Sequence, residues 1–593
     1  MSGRPPRLDE DVQVADAKMT KSATSPDANT VPCLVVVRGA SLGATFYVHR
    51  NETLIGRGTD CDVVIDSNGV SRLHARLVRH ADGIDIEDMS SAQGTHLGGQ
   101  RVYGRKRVHD GDQLQLGPDC VIMLTFQTTS AALGDGAERT SSAWTLDSWR
   151  TRPTQQQVEY EDPAELEEVV RKLRTLPPLV TSWEVERLKS LIADAQLGKR
   201  FFLQGGDCAE TFGDCNPSVI TNKLKILLQM SLVLVPGARR PIIRVGRLAG
   251  QYAKPRSKPT ETRNGVELRS YLGDLVNRPG FTPADRRADP QLLLKGYHHS
   301  AMTLNFMRAL GQGGFADLRH PEYFDLSFFE RADLPSQLKA EYQRTAKRIA
   351  EGLEFMKVLG DQMLDDLWKV EFFTSHEGLH LEYESAQTRT VPRRSAHYDL
   401  TTHLPWIGDR TRLLDGGHVE FFRGIANPIG VKLGPNTTPD EVVELCKVLN
   451  PYDEPGKMVF IVRMGAKAVA EKLPPLIEII QRKRRRVLWV SDPMHGNMIT
   501  VNGIKTRNFD DILGEIRTSF DVHDALGTTL GGVHFELAGE DVTECIGGGI
   551  SEADLDTNYL SACDPRLNYR QAMEMAFAIC RRMAETALSP TAL

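Results

Sequence analysis

Cysteine is sparse in this sequence, nine in 593 residues, odd in number and in no spaced array. That excludes a disulfide framework and favours a reducing compartment, where cysteines are buried, catalytic or metal-binding. No stretch reads as long and apolar enough to span a membrane. The opening "MSGRPPRLDEDVQVADAKMT" lacks the apolar centre of a secretory signal, so a cytoplasmic protein is expected. Nor does one charge dominate. With 72 basic against 78 acidic residues the formal net charge is -6, which points away from nucleic acid or a membrane surface as partner. The one basic run, "QRKRRR" at 481–486, closes a helical pattern and reads as a solvated helix end.

What is present is length and pattern. A chain this long outgrows one core and implies about two to four folding units. Residues 1–30 are rich in Ser, Thr, Asp, Ala and Lys and read as a disordered tail. Residues 31–128 alternate in short strands punctuated by Gly, Asp and Asn, the pattern of an all-β sandwich. Residues 129–150 are small and polar, a linker. The remainder, 151–593, opens with two helical segments. Eight apolar runs follow: "RFFLQGG", "PIIRVGR", "VEFFTSH", "HLPWIGD", "IGVKLG", "MVFIVRMG", "RVLWVSD" and "GVHFEL". Eight strands alternating with helices close a parallel (β/α)8 TIM barrel. The long interval 258–368 reads as a helical insertion. The fold class is therefore multidomain: an all-β sandwich, then an α/β barrel with a helical N-terminal extension.

Barrel chemistry gathers at the C-terminal ends of the strands. Cys208 follows the first run, Arg247 and "AKPRS" the second, Asp409 and Arg410 the fourth; Lys432, Arg463, His495 and Glu536 mark the next four. With Asp564 in "ACDPRLN", the residues Cys208, His495 and Glu536 suit a transition metal, since calcium and magnesium prefer oxygen alone. No tight motif joins them, so a nucleophile, half of a disulfide or a buried small residue stay open for Cys208. A rim carrying Arg247, Lys254, Arg256, Arg410, Lys432 and Arg463 suits a substrate with several phosphate or carboxylate groups.

The segments "FLQGGDCAE", "GRLAGQYAKPRS", "LRSYLGD", "TSHEGLHLEYE", "WIGDRTR", "GVKLGPN", "VRMGAKAV", "SDPMHGN", "GGVHFELAGEDVTECIGG" and "ACDPRLN" closely resemble the type II 3-deoxy-D-arabino-heptulosonate 7-phosphate (DAHP) synthases, over about 150–590. The resemblance implies condensation of phosphoenolpyruvate with erythrose 4-phosphate, the first step of the shikimate pathway. It assigns a divalent metal to Cys208, His495, Glu536 and Asp564, with manganese or cobalt favoured and zinc, iron or cadmium compatible. It assigns phosphoenolpyruvate to Arg247, Arg410, Lys432 and Arg463, and erythrose 4-phosphate to Lys254, Pro255, Arg256 and Ser257. Asp409 and Lys432 would handle the water and protons. Members of the family often carry glutamate where this chain has Asp409; a shorter carboxylate remains, and activity is expected to survive. The family tends to assemble, so a homo-oligomer is expected. A specialised-metabolite condensing enzyme and a scaffold without turnover are the alternatives. Cys563 precedes Asp564, so it and Cys208 are expected close enough to oxidise to a disulfide when metal is absent.

In the front segment "LIGRG", "VSRLHARL", "SSAQGT" and "GDQLQLG" resemble the forkhead-associated (FHA) domain, a phosphothreonine reader, over about 33–128. By that resemblance Arg57 and Ser71 grip the phosphate with Arg72 nearby, Gln93 and Thr95 lie in the peptide-binding loop, and His74 braces from inside. Gln93 replaces the usual asparagine, and a second asparagine is missing near Gly98, departures that bear on peptide affinity and preference. The ligand would be a phosphothreonine peptide in trans, or Thr24 in "SATSPDANT" in cis after action by a Ser/Thr kinase, docking at high effective concentration.

Overall fold

A computed structural model describes residues 30–38, 45–48, 51–58, 61–65, 67–80, 83–128, 144–312, 371–392 and 394–588, with isolated helical positions at 336, 340, 343, 344 and 347. Thr24 with the tail, positions 129–143 of the linker and most of 313–370 in the insertion lie outside the described residues. The chain divides into two compact units, Met1–Gly136 and Ala137–Leu593.

In the front unit two sheets, antiparallel except where Val63–Val64 pairs parallel with Glu52–Gly56, form a sandwich. One orders its strands Thr45–Tyr47, Thr30–Arg38, Val121–Thr128, Gln113–Leu116, Thr95–Leu97, Gln100–Arg101. The other runs Val63–Val64, Glu52–Gly56, Ala75–His80, Gly83–Asp88, Arg105–Val108. Alternate residues point inward, Leu34, Val36, Leu114 and Ile122 from the first sheet joining Ile55, Leu77, Ile84 and Ile86 from the second in one core. Arg57, Ser71 and Gln93 all fall in the loops that connect these strands.

The second unit is a closed barrel of eight parallel strands in chain order: Phe201–Gly206, Ile242–Arg247, Phe372–Glu377, Leu404–Ile407, Ile429–Leu433, Met458–Val462, Leu488–Ser491 and Gly532–Glu536. Each coincides with one of the apolar runs read from the sequence, the third extending one residue past its run to Glu377. They are mostly apolar and nearly all buried, without strict alternation, because helices cover one face and the barrel core the other. Thr181 and Glu184 form a capping box that starts the helix Ser182–Gln196. Its Leu188, Leu191, Ile192 and Ala195 pack with Phe202, Val245, Val459 and Val490 inside the barrel, and Gln196 Nε2 donates to Met458 O at 3.3 Å. This helix therefore plugs the N-terminal mouth and leaves the opposite rim for chemistry.

Two expectations need correction. The helix Pro217–Ala238 is long and apolar enough by length and composition to cross a membrane. Its Ile226, Leu227, Met230 and Leu234 belong to the barrel core together with Met573, Ala576 and Phe577, which explains the apolarity. The described part of the insertion also includes a hairpin, Thr260–Arg263 with Val266–Arg269, besides the helix Gln291–Gln312.

Candidate active site

Cys208, Glu536 and Asp564 place their ligand atoms within 4.8 Å of one another. Cys208 is in the loop after the first strand, Glu536 ends the eighth, and Asp564 lies on the segment that follows it. His495 Nε2 lies 3.0 Å from Glu536 Oε1 and its Nδ1 lies 2.8 Å from Asp492 Oδ2. That second carboxylate aims the ring, as a partner behind a metal-binding histidine does. One thiol, one imidazole and two carboxylates fit a borderline transition metal, and Cys208 and Glu536 are at most 1% exposed.

The charges around these donors are balanced by buried cations. Arg247 Nη2 donates to Glu536 Oε1 at 3.0 Å and Arg507 Nη2 to Oε2 at 2.7 Å. Burial opposes ionisation of Glu536, but His495, Arg507, Arg247 and Lys254 outweigh it and hold the carboxyl well below its ordinary range. Burial likewise opposes ionisation of Asp564, and Lys254 beside it wins. Burial, a hydrogen bond with Cys563 and the charge of Glu536 push the Cys208 thiol upward. Cys563 and Tyr271 share a small buried cluster with Cys208.

The Cys208 loop is joined to the Lys254–Ser257 segment. Glu210 accepts from the amides of Ala249, Gly250 and Gln251 at 3.1, 3.0 and 2.9 Å, and Lys254 Nζ donates to Cys208 Sγ at 2.6 Å and Asp564 Oδ2 at 2.8 Å. Pro255 and Arg256 follow directly, the Arg256 amide donating to Gln156 Oε1, and Ser257 Oγ accepts from Arg410 Nη2 at 3.0 Å.

Across the rim Asp409 accepts from Arg463 Nη1 at 2.8 Å, Arg412 Nε at 3.1 Å and the Gly434 amide at 3.0 Å. Lys432 Nζ stands 3.2 Å from Asp492 Oδ2, and burial pulls its pKa below the usual lysine value. Arg247 is fully buried, and its three nitrogens already meet Asp207 O, His534 Nε2, Cys208 O and Glu536. It offers a bound anion charge more than free donors.

In the front unit Arg57 is exposed, and its Nε donates to Val70 O at 3.2 Å. Ser71 Oγ accepts from the Ala92 amide at 2.9 Å, which leaves its proton to donate outward. Arg72 and Gln93 are exposed. His74 is buried, its Nδ1 accepting from the Ser71 amide at 3.0 Å while Nε2 lies 3.4 Å from Gly94 O. It clamps two loops together. Thr95 is a correction. Its side chain is fully buried and donates to Asp88 Oδ1 at 2.7 Å, so it anchors the loop from below and does not face a peptide.

Residues 144–580 match the Class-II DAHP synthetase family. The chain belongs to that family. Phospho-2-dehydro-3-deoxyheptonate aldolase of Neurospora crassa is 48% identical over 455 residues, 74% of this chain and 93% of the relative. The protein of the same name from Streptomyces coelicolor is 48% identical over 435 residues, 73% of this chain and 96% of its own. Residues 53–117 match the FHA domain. Among solved structures, Mycobacterium tuberculosis EmbR in complex with a low-affinity phosphopeptide is 29% identical, covering 18% of this chain and 26% of that chain at a TM-score of 0.15.

In this class-II synthase four rim residues are not singled out by the sequence patterns. Asp492 had a usable signal, a carboxylate three residues before a candidate metal histidine. Arg507 had none, since it comes from the hairpin Met498–Val501 with Ile504–Arg507. Trp406 and His534 lie inside strands that read simply as apolar. The Trp406 ring has Arg247 Cζ at 5.2 Å and Lys432 Nζ at 5.5 Å from its centroid, a floor shared by two cations.

Proposed function

We propose that the barrel condenses phosphoenolpyruvate with erythrose 4-phosphate and water to give DAHP and phosphate, the first step of the shikimate route to aromatic amino acids. The observation that carries this reading is the convergence of Cys208, Glu536 and Asp564 with Lys254 on one rim, against a barrel plugged at its other end. The shared name of the relatives describes the same activity. Residues 31–128 are the reader and residues from 144 onward the synthase; the linker expected over 129–150 is cut back to 129–143, because Trp149 is buried in the barrel core and Trp144 Nε1 donates to Glu420 O at 3.0 Å.

Cys208, His495, Glu536 and Asp564 hold the divalent metal, manganese or cobalt in this proposal, which when bound supplies Lewis acidity to the aldehyde oxygen. Arg463, Arg410, Lys432 and the charge of Arg247 hold the carboxylate and phosphate of phosphoenolpyruvate. Lys254, Pro255, Arg256 and Ser257 hold the aldose phosphate. These cations let two anionic substrates approach, a positioning and electrostatic contribution. The enol carbon attacks the aldehyde carbon and cationic charge develops at C2. Asp409, anchored by Arg463 and Arg412, places the water that adds there, and Lys432 exchanges the proton as phosphate leaves by C–O cleavage.

The front unit reads phosphothreonine through Arg57, Ser71 and Arg72, with Gln93 at the edge of the site, and the enzyme works as a cytoplasmic homo-oligomer. Phosphorylated Thr24, made by a Ser/Thr kinase, is the cis ligand proposed. Calorimetric titration of a Thr24 phosphopeptide into the full chain tests it: binding that Arg57→Ala removes supports the reading, and equal binding by that variant contradicts it. For the barrel, phosphoenolpyruvate loss with erythrose 4-phosphate and manganese or cobalt present is the test; no loss contradicts the assignment.

A further inference from the structure

The chain from Trp144 to Tyr160 runs as a strap anchored to the segments that follow the second, third and fourth barrel strands. Trp144 Nε1 donates to Glu420 O at 3.0 Å and Pro153 O accepts from the Gly417 amide at 2.9 Å, both on the helix Gly417–Phe422 after the fourth strand. Gln157 Nε2 donates to Leu379 O at 2.9 Å, and the Tyr160 hydroxyl meets His380 Nε2 at 2.7 Å, just past the third strand. Gln156 lies between these anchors and reaches the segment after the second strand.

Its carboxamide closes a two-way bridge to the main chain of Arg256. Gln156 Oε1 accepts from the Arg256 amide at 2.8 Å, and Nε2 donates to the Arg256 carbonyl at 3.2 Å. One side chain, 100 residues away, thus supplies the pairing that a neighbouring strand would give. Gln156 itself sits at a φ of 59°. Glycine, asparagine and aspartate enter that left-handed region readily; a glutamine there is held by its surroundings. A turn alone would be better served by glycine or asparagine. Glutamine is one methylene longer than asparagine, and that reach lets its amide span both groups of Arg256.

Arg256 is the cation on its segment that an anion finds free. Lys254 Nζ is engaged by Cys208 and Asp564, and Ser257 Oγ accepts from Arg410 Nη2 at 3.0 Å. Arg256 is half-buried, and among the described residues no hydrogen bond or ion pair engages its guanidinium. The two ends of the segment are pinned to the stretch after the hairpin: the Lys254 amide donates to Leu272 O and the Ser270 amide to Pro259 O, each at 2.9 Å. Between those points the main-chain groups of Arg256 go to Gln156.

We propose that Gln156 is a positioning residue for the aldose phosphate: by fixing the main chain of Arg256 it aims a free guanidinium at that phosphate, and it acts on neither phosphoenolpyruvate nor the metal. This rests on the assignment of Arg256 to the erythrose 4-phosphate site.

The test is steady-state kinetics of the full chain with manganese, each substrate varied in turn, on Gln156→Gly, Gln156→Asn and Arg256→Met. Glycine and asparagine both relax the left-handed turn, so the two Gln156 variants should melt within a few degrees of wild type. Each should raise KM for erythrose 4-phosphate about 5- to 30-fold, the loss of two neutral hydrogen bonds, with KM for phosphoenolpyruvate and manganese affinity by equilibrium dialysis within about twofold. Arg256→Met should raise the same KM at least as far. An unchanged KM for erythrose 4-phosphate in Gln156→Gly, or a rise shared equally by phosphoenolpyruvate, overturns the role of Gln156 while the effect of Arg256→Met stands. A wild-type KM in Arg256→Met overturns the assignment of Arg256 and this inference with it.

Discussion

The ammonium nitrogen of Lys254 stands 2.6 Å from the sulfur of Cys208. The same nitrogen reaches Asp564 at 2.8 Å, so a lysine assigned to the aldose phosphate touches two of the proposed metal ligands. Burial disfavours its charge, but Asp564 and Cys208 more than restore it. If Lys254 serves the substrate and not the metal, Lys254→Met removes a competing cation and spares the ligands. The variant should bind manganese at least as tightly as wild type in equilibrium dialysis while turnover falls about 10²- to 10³-fold. Loss of metal with the lysine would place it in the metal shell instead.

Asp492 aims His495 at Glu536 and anchors Lys432. Asp492→Asn keeps the shape and removes the charge. Manganese affinity should weaken about 10- to 100-fold with the melting temperature little changed.

Cys208 and Cys563 lie together in one small buried cluster. Removing metal and adding a mild oxidant should join them, detectable as a linked peptide pair by mass spectrometry, and bound manganese should block the reaction. Cys563→Ser should resist oxidative inactivation and keep turnover.

Lys457 is buried before the sixth barrel strand, where its ammonium donates to Ile425 O. Burial, with Lys189 adding to it, pulls its pKa from 10.5 to about 7. Between those values the unfolded chain holds a proton that the folded one lacks, so this residue makes stability rise with pH across that window and costs stability below it. Relative to Lys457→Met, the melting temperature of wild type should rise by a few degrees from pH 7 to pH 9, at about 2–4 °C per kcal/mol, with Lys457→Met the more stable at pH 7. A gap independent of pH would contradict the charge assignment.

The barrel was legible because each strand is buried on both faces, so its run is mostly apolar, as in "MVFIV" and, apart from Lys432, "IGVKL". The rim was legible where chemistry sits at a strand end, as with Lys432 and Glu536. Arg507 was not, because a hairpin delivers it to Glu536 from 29 residues away. Thr95 was misread for a related reason. A motif fixes a residue's place in a loop but not which way its side chain turns, and Asp88, seven residues back, draws this one inward. The apolar helix Pro217–Ala238 shows the same gap from the other side, since composition alone does not distinguish a core from a lipid environment.

The most direct test of the account follows phosphoenolpyruvate and DAHP together in the full chain, stripped of metal and then reloaded with manganese, beside His495→Ala. We predict no product from stripped enzyme, full recovery on reloading, and no recovery in His495→Ala with its fold intact by circular dichroism. Full turnover in stripped enzyme, or wild-type turnover by His495→Ala, would contradict a metal held by Cys208, His495, Glu536 and Asp564.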